Sequence, residues 1–527
     1  MTPLLKYKTN YLYLTGLTLL VTGLPVSLFL TSLSQFFLVG SFFLEGNIKE
    51  RWKRFTSNKV AVVFVGIWLL HLIGILWTTD LAAGMKDLRI KLPLLLLPII
   101  ISGTEKLTEK QFRYIMGAFV FAVFAGTISA IAVLTGIIHR DIYDIRDIFI
   151  YKISHIRFAL FTCVAICTLV FYIGYRKELT PVAKFIALLL AIWFAAFLVI
   201  VESLTGLIVL VILTVSVLIY HLLISGNKFK KIISFVLIVA IPLTITVYVT
   251  GLIHDFYNKK QEVINVNDKT LQGNPYDFYL DDNNFENGYQ VNVYLCIPEL
   301  KKAWNERSKI HLDSLDHKKQ PIKATLVRFL TSKGMRKDSA AVYSLTKNEI
   351  QSIEAGVPNV NFQKMSDLRS RVNQVIWEID NLLKGGDPSG HSVAQRLEFW
   401  RAAVGVIKTS PLFGVGTGDL KPEFENQYQR MNTRLDEAHR LNSHNQYLSI
   451  AAAFGIPGLL YFLFALLYPL RRARQLPAIF ILFLIICLVS MLTEDTLETQ
   501  PGATFVGLFF ILFYNQRREG DTEKSLH

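Results

Sequence analysis

Cysteine is scarce in this sequence, and its spacing excludes two common ways of stabilising a large polar segment. The 527 residues include four cysteines. Cys163, Cys167 and Cys487 lie in apolar stretches, and Cys296 stands alone in a polar stretch. A disulfide within the polar stretch is therefore excluded, and no metal-ligand spacing is present. We expect a protein that uses neither a structural metal nor a cofactor.

Internal repeats, low-complexity tracts and a leader-peptide pattern are also missing. Residues 1–10 contain two lysines, but no cleavage-site pattern followed by a soluble domain comes after them. The first apolar stretch is therefore predicted to be a retained membrane span rather than a removed signal peptide.

Long apolar stretches dominate the chain. Hydrophobic residues make up 52% of it, and the mean hydropathy is +0.38. A helix needs roughly 20 mostly apolar residues to cross a hydrocarbon core about 30 Å thick. About twelve stretches meet or approach this length, so the sequence predicts an all-α polytopic membrane protein. These stretches are Tyr11–Leu24, Pro25–Leu44, Val60–Trp77, Ala83–Ser102, Phe112–Ile138, Ile156–Tyr175, Pro181–Val201, Thr205–Ile224, Ile232–Val249, Tyr447–Tyr468, Pro477–Leu492 and Ala503–Tyr514.

Basic residues outside these stretches concentrate in alternate connections. If the N-terminus is cytoplasmic, the connections on that side hold 22 basic and eight acidic side chains, a difference that equals the net charge of +14. This is the positive-inside pattern of membrane proteins, so the charge does not indicate a nucleic-acid interface. It predicts that both termini are cytoplasmic. The connections with their flanking residues are 1–10, 45–59, 103–113, 176–184, 225–231, 469–476 and 515–527.

The sequence predicts four regions: two groups of membrane spans, one large loop between them, and a tail. Nine spans occupy residues 1–249, a large outer loop residues 250–446, three spans residues 447–514, and a cytoplasmic tail residues 515–527. The loop is predicted to be mostly helical. Its apolar residues have helical spacing in Asp367–Leu383, and a second amphipathic helix is predicted over residues 393–408.

Ionisable residues stand near the predicted outer ends of several spans. Charged side chains in spans usually face a cavity or a partner, although snorkelling to the membrane interface is the alternative for any single residue. Basic groups converging at one outer surface would suit an anionic, lipid-linked phosphate. The residues concerned are Lys86, Asp87, Arg89, Lys91, Arg157, Glu202, Glu494, Asp495 and Glu498.

The most informative stretch is Ser392–Leu460, which contains SVAQRLEFWRAAVGVIKTSPLFGVGTGD and SHNQYLSIAAAFGIPGLL. It resembles the O-antigen ligase and O-antigen polymerase superfamily. The matching pattern is an Arg before an aliphatic-x-x-Trp helix, a Pro-x-x-Gly-x-Gly turn, and a His-Asn-x-Tyr-Leu motif that enters a span. The segment KISHIRFAL and the loop stretch ENGYQVNVYLC also resemble a branch of this family found in Bacteroidetes. The matching positions are Arg396, Trp400, Pro411, Gly414, Gly416, His444, Asn445, Tyr447, Leu448, Gly455 and Gly458.

The resemblance implies a metal-independent, GT-C-like glycosyltransferase of the bacterial inner membrane. Such an enzyme moves a glycan from an undecaprenyl-diphosphate carrier to an acceptor hydroxyl at the periplasmic face. By the motif match, Arg396 is expected to stabilise the diphosphate, and His444 to act as base or to position the acceptor. Arg401, Asn445 and Tyr447 are further substrate-binding candidates. The alternative for His444 is a helix-start residue capped by Ser443.

One departure from the family pattern shifts the expected diphosphate contacts. Many members carry Arg directly before Thr-Gly at an outer helix start, where this sequence has Leu204 before Thr205-Gly206. Arg157 or Arg89 is therefore predicted to take that role.

The glycine-rich segment Gly414–Gly418 invites comparison with a phosphate-binding loop. It lacks the Lys-Ser/Thr of a P-loop and follows no strand, so a tight turn is predicted instead.

Several functions remain open from the sequence. The leading hypothesis is a ligase that transfers a finished glycan to lipid A–core or another hydroxyl acceptor. A polymerase and a protein O-oligosaccharyltransferase would use the same carrier. A lipid-linked sugar transporter belongs to a different class, but it predicts charges near the bilayer midplane and inverted repeats, neither of which is visible.

Overall fold

The computed structural model describes residues 3–44, 47–140, 145–149, 153–175, 179–258, 264–280, 284–363 and 367–516. Within these ranges the regular secondary structure is almost entirely helical, and the chain divides into two compact units. One unit combines the described parts of residues 1–140, 148–217 and 396–527, and the other contains those of residues 141–147 and 218–395.

The first unit contains the long apolar helices of the N-terminal part and the helices that follow residue 396. Helix α10 continues into the second unit, and α17 begins there. The helices are α1 (Pro3–Val26), α2 (Leu28–Leu44), α3 (Ile48–Ser57), α4 (Lys59–Ile73), α5 (Leu81–Ile90), α6 (Pro93–Gly103), α7 (Glu109–Leu134), α8 (His155–Tyr175), α9 (Pro181–Ile200) and α10 (Leu204–Ile224), then α17 (Ser392–Thr409), α18 (Leu420–Arg430), α19 (Gln446–Leu467), α20 (Ala478–Ser490) and α21 (Gln500–Tyr514).

The second unit contains the long helix α11 (Lys228–Tyr257) and the polar segment that follows it. A minimal hairpin of β1 (Phe285–Glu286) and β2 (Tyr289–Gln290) precedes five helices. The first four of these helices pack around a core that includes Trp304, Leu326 and Phe329, and the fifth packs against α11. The helices are α12 (Ile297–Arg307), α13 (Ile322–Ser332), α14 (Ser339–Ser344), α15 (Lys347–Glu354) and α16 (Asp367–Leu383).

An all-α membrane protein is confirmed, but a count of twelve spans is not. In the described ranges, seven helices are long and apolar enough to cross a membrane, and the bent pair α2–α3 would add an eighth. Three further apolar helices are shorter, at Tyr11–Val26, Ala478–Ser490 and Gln500–Tyr514. The GT-C-like architecture and the domain boundaries at residues 249 and 446 stay predictions.

The continuous span predicted over Ala83–Ser102 is wrong. Helix α5 ends at Ile90, Lys91 is its C-cap, and α6 begins at Pro93. Proline has no backbone N–H. At the first position of a helix this removes no hydrogen bond, because an N–H there has no carbonyl within the helix to accept it, so proline favours a new helix start. A hydropathy average over the whole stretch does not reveal this break, because the strongly apolar residues of α6 mask the charged residues of α5.

Helix α19 is also interrupted, and the interruption positions the glycine-rich turn. Gly455 has φ +70° and ψ −175°, and the Ile456 N–H donates to the Pro411 carbonyl at 2.8 Å. The Val415 and Gly416 N–H groups donate to the carbonyls of Ala452 and Ala453, both at 2.9 Å. The glycine-rich turn and the broken helix are therefore hydrogen-bonded to each other.

Candidate active site

His444 has a backbone conformation that few residues other than glycine adopt. Its φ is +46°, in the left-handed region, which costs about 1–3 kcal/mol unless the surroundings enforce it. Asn445, and not His444, is the N-cap of α19, because its side chain accepts the Leu448 N–H at 3.1 Å. Ser443 Oγ accepts the Asn445 N–H at 3.1 Å. Such enforced strain is typical of functional positions.

The segment that follows α20 binds both motif segments through its backbone carbonyls. The Met491 carbonyl accepts the Gln446 N–H at 2.9 Å, and the Leu492 carbonyl accepts Asn445 Nδ2 at 2.9 Å. The Thr493 carbonyl accepts Arg396 Nε at 3.2 Å. These bonds bring the next two residues, Glu494 and Asp495, beside His444.

The side chains of this cluster form two neighbouring pairs of opposite charge. Arg396 Nη2 lies 2.9 Å from Glu494 Oε1. His444 Nδ1 lies 3.5 Å from Asp495 Oδ1, which is an ion-pair distance but long for a hydrogen bond. The imidazole ring also packs against Phe399, with ring centroids 5.6 Å apart. His444 Nε2 makes no hydrogen bond with any part of the chain that the structure describes, so this nitrogen is available to a substrate.

The two pairs change the protonation equilibria of their members. Burial lowers the pKa of His444, and the positive charge of Arg396 lowers it further. The carboxylates of Asp495 and Glu494 have the larger combined effect and raise this pKa above its usual 6.5. Burial raises the pKa of Glu494 even though Arg396 and His444 oppose the change. Burial also raises the pKa of Asp495, but His444 and Arg157 lower it by more, so the pKa of Asp495 lies below its usual value. The His444 imidazole is therefore a stronger base than a free histidine.

Arg157 joins the cluster from the first turn of α8. Its guanidinium interacts electrostatically with both Glu494 and Asp495 and is partly buried. No carboxylate among the described residues lies within ion-pair distance of it. Arg157 thus offers a guanidinium beside the cluster that no carboxylate of the described residues pairs at ion-pair distance.

The other predicted substrate-binding residues lie apart from these charges or have structural contacts. Arg89 is exposed on α5 and has no contact with the cluster in the described structure. The side chain of Arg401 is 70% exposed and pairs with Glu398 at 2.6 Å. Asn445 caps α19, and the Tyr447 hydroxyl donates to the Leu488 carbonyl at 2.8 Å. A substrate role for these four residues stays a prediction.

A buried network below the cluster was missed by sequence reasoning. Lys91 is 1% exposed, and its ammonium group contacts Asp87 and lies 2.7 Å from Glu498 Oε2. Glu498 Oε1 accepts Gln446 Nε2 at 3.2 Å, and Gln446 Oε1 accepts the Leu497 N–H at 2.7 Å. The network joins the break between α5 and α6 to the start of α19 and to the segment that carries Asp495. The sequence singled out Asp87, Lys91 and Glu498 as charged residues near outer span ends, but it did not indicate that they pair.

The turn predicted for Gly414–Gly418 is confirmed, and its geometry leaves no room for a phosphate cradle. Gly414 and Gly416 have φ values of +67° and +95°. A Cβ on Gly414 would lie 2.2 Å from the Ala453 carbonyl carbon. The N–H groups of residues 415, 416 and 418 donate to Ala452, Ala453 and Thr78 of the protein, so they are not available to an anion.

His444, Glu494 and Asp495 could together hold a metal ion as well. One ligand atom from each lies within 4.8 Å of the others. Arg396 already neutralises Glu494, which disfavours a second cation there. The absence of a metal requirement stays a prediction.

Comparison with known families gives a match over the segment that carries the two motifs, and the matched family indicates a glycosyltransferase-like membrane enzyme. Residues 350–463 match the O-antigen ligase family model. This segment contains Arg396, the glycine-rich turn and His444, so the resemblance to the O-antigen ligase superfamily is confirmed over residues 350–463. No curated protein sequence matches the chain. The assignment to a Bacteroidetes branch stays a prediction.

Proposed function

We propose that this protein is an O-antigen ligase-type glycosyltransferase. It transfers a glycan from undecaprenyl diphosphate to a hydroxyl of lipid A–core at the periplasmic face of the bacterial inner membrane. One observation carries the proposal: three segments distant in sequence meet at one cluster that holds guanidinium, imidazole and carboxylate groups. These segments are the start of α8, the Arg396–His444 motif region and the 494–495 pair.

The donor end of the reaction requires stabilisation of a leaving diphosphate. When the bond between sugar C1 and the phosphate oxygen breaks, negative charge grows on that oxygen, and fixed guanidinium groups in a partly buried site stabilise it. Arg157 contacts the diphosphate directly in this proposal. Arg396 adds positive charge and fixes the position of Glu494.

The acceptor end requires removal of a proton. The acceptor oxygen forms a bond to C1, and its proton moves to His444 Nε2 while Asp495 faces Nδ1 and stabilises the resulting imidazolium. The pKa raised by the carboxylates gives the neutral imidazole the basicity that this step needs. Glu494 is the alternative base if His444 only positions the acceptor.

The proposal includes a membrane position for the site. The positive-inside pattern supports cytoplasmic termini and a periplasmic loop. The partners are then the bilayer, the carrier-linked glycan and the acceptor, with no cofactor and no nucleic acid.

Deletion of the gene tests the proposal against its alternatives. Loss of a ligase should leave bare lipid A–core while long glycans accumulate on the carrier. Core capped by a single repeat unit, without long carrier-linked chains, would instead identify a polymerase. Intact lipopolysaccharide together with loss of glycan from secreted proteins would identify a protein glycosyltransferase.

Loss of transferred glycan, with the carrier-linked glycan trapped on the cytoplasmic side, would support a transporter. That result would contradict the transferase chemistry altogether.

A further inference from the structure

The second unit contains an open cavity of about 360 Å³, in the size range of small-molecule sites. Its walls come from the end of α11, the β1 turn, the segment around residue 360 and helix α16. Helix α11 has 30 residues and is therefore about 45 Å long, more than the bilayer core of about 30 Å requires. Its last turns can therefore extend beyond the hydrocarbon region.

One wall of the cavity is fixed by hydrogen bonds within the protein. Glu286 pairs with Arg328 Nε at 2.6 Å and accepts Asn359 Nδ2 at 2.8 Å. Asn287 Nδ2 donates to the Ser332 carbonyl at 2.8 Å. The guanidinium of Arg328 also stacks on Trp377, 3.6 Å from the ring centroid. This wall is thus pre-organised.

Other polar groups of the lining have no partner among the described residues. The side-chain amides of Asn258 and Asn361 and the indole N–H of Trp377 make no hydrogen bond there. Arg369 Nε is buried without a hydrogen-bond partner, although its Nη2 lies 3.5 Å from Asp255. Unpaired donors at a cavity wall cost free energy unless a ligand or water satisfies them.

The charges of the lining indicate the kind of ligand. Glu286 is paired with Arg328, and Asp255 with Arg369, so the cavity favours neither a strong anion nor a strong cation. Amide groups beside the aromatic rings of Phe256, Phe362 and Trp377 suit hydroxyl groups and apolar ring faces together. A lipid chain would leave the amides unsatisfied.

We propose that this cavity binds neutral sugar residues of a glycan substrate. The inference rests on the proposed function, which supplies two possible sources of the glycan. These are the acceptor core and the carrier-linked chain. Both sources present the same chemistry of hydroxyl-rich rings.

Direct binding to the purified full-length protein in detergent micelles tests the inference. Saturation-transfer difference NMR would use two probes. One is the core oligosaccharide released by mild acid from the host lipopolysaccharide, and the other is the glycan released from the carrier. Saturation of either probe is expected, and the probe that responds identifies the source.

Two substitutions locate the binding within the cavity. Asn361→Ala removes an amide that makes no hydrogen bond within the described structure, and Arg369→Gln removes the guanidinium whose Nε has no hydrogen-bond partner there. Each should weaken binding about fivefold, the effect of one hydrogen bond of ordinary strength. The matched control is Asn348→Ala, an exposed asparagine on α15 of the same unit, which should leave binding unchanged.

Failure of both probes to bind the wild-type protein would overturn the inference. Binding unaffected by both cavity substitutions would do the same. Because binding is measured without transfer, these results would leave the transferase proposal intact. Conversely, a protein that binds sugar but transfers none would contradict only the proposed function.

Discussion

Replacing Lys91 by methionine should strongly destabilise the protein. The side chain is 1% exposed, and its ammonium group is held by Asp87 and, at 2.7 Å, by Glu498. Methionine fills much of the same volume but leaves both carboxylates without their cation. Removing one partner of a buried ion pair typically costs about 3–5 kcal/mol, because the remaining charge stays buried and uncompensated.

Thermal unfolding in detergent, followed by intrinsic fluorescence, would measure this loss. Lys86→Met is the matched control, because Lys86 is exposed on the same helix, α5. The double variant Lys91→Met/Glu498→Gln should recover part of the stability, since it removes one of the unpaired charges. Equal unfolding temperatures for Lys91→Met and Lys86→Met would refute the assignment of Lys91 as a buried structural cation.

Three further predictions follow from the site and the charge distribution. Asp495→Asn should lower the pKa of His444, so the acid limb of kcat/KM against pH should move to lower pH while the plateau falls; an unmoved limb would exclude His444 as the base. EDTA should leave the transfer rate unchanged, and a loss restored by a divalent ion would assign the His444 cluster to a metal. In a cysteine-free background, a cysteine at Ser314 should react with an impermeant thiol reagent in intact spheroplasts and one at Asn227 only after lysis; the reverse would invert the topology.

Local features of the fold were well predicted from the sequence. The apolar spacing in Asp367–Leu383 gave the observed bounds of α16, and the helix predicted over 393–408 is observed as Ser392–Thr409. In both cases the signal is local: helical periodicity followed by a glycine or proline stop.

Features that depend on distant contacts were not predictable in the same way. The proximity of Asp495 to His444 arises because the carbonyls of residues 491–493 bind the two motif segments. The left-handed conformation of His444 leaves no trace in composition or periodicity. Hydropathy also does not reveal the break at Lys91. The ammonium group buried there is compensated by Glu498, a carboxylate more than 400 residues away, and hydropathy takes no account of such distant contacts.

The roles of the candidate site residues stay predictions, but their positions can be compared with the sequence analysis. The family motif identified Arg396 and His444, and the structure brings Arg157 to the same cluster. It does not bring Arg89 or Arg401 there. The sequence could not show this, because spacing along the chain does not determine which of several outer arginines faces the cluster.

The central claim is that the His444 cluster performs glycan transfer, and a reconstituted assay tests it most directly. Purified variants would be supplied with the carrier-linked glycan and lipid A–core, and kcat/KM would be measured. His444→Ala and Arg157→Gln should each reduce it by about a hundredfold or more, the usual effect of losing a general base or a charge-stabilising group. The matched controls His439→Ala and Arg430→Gln alter a half-buried and an exposed residue outside the cluster and should retain wild-type rates. Full activity in both His444→Ala and Arg157→Gln would contradict the account.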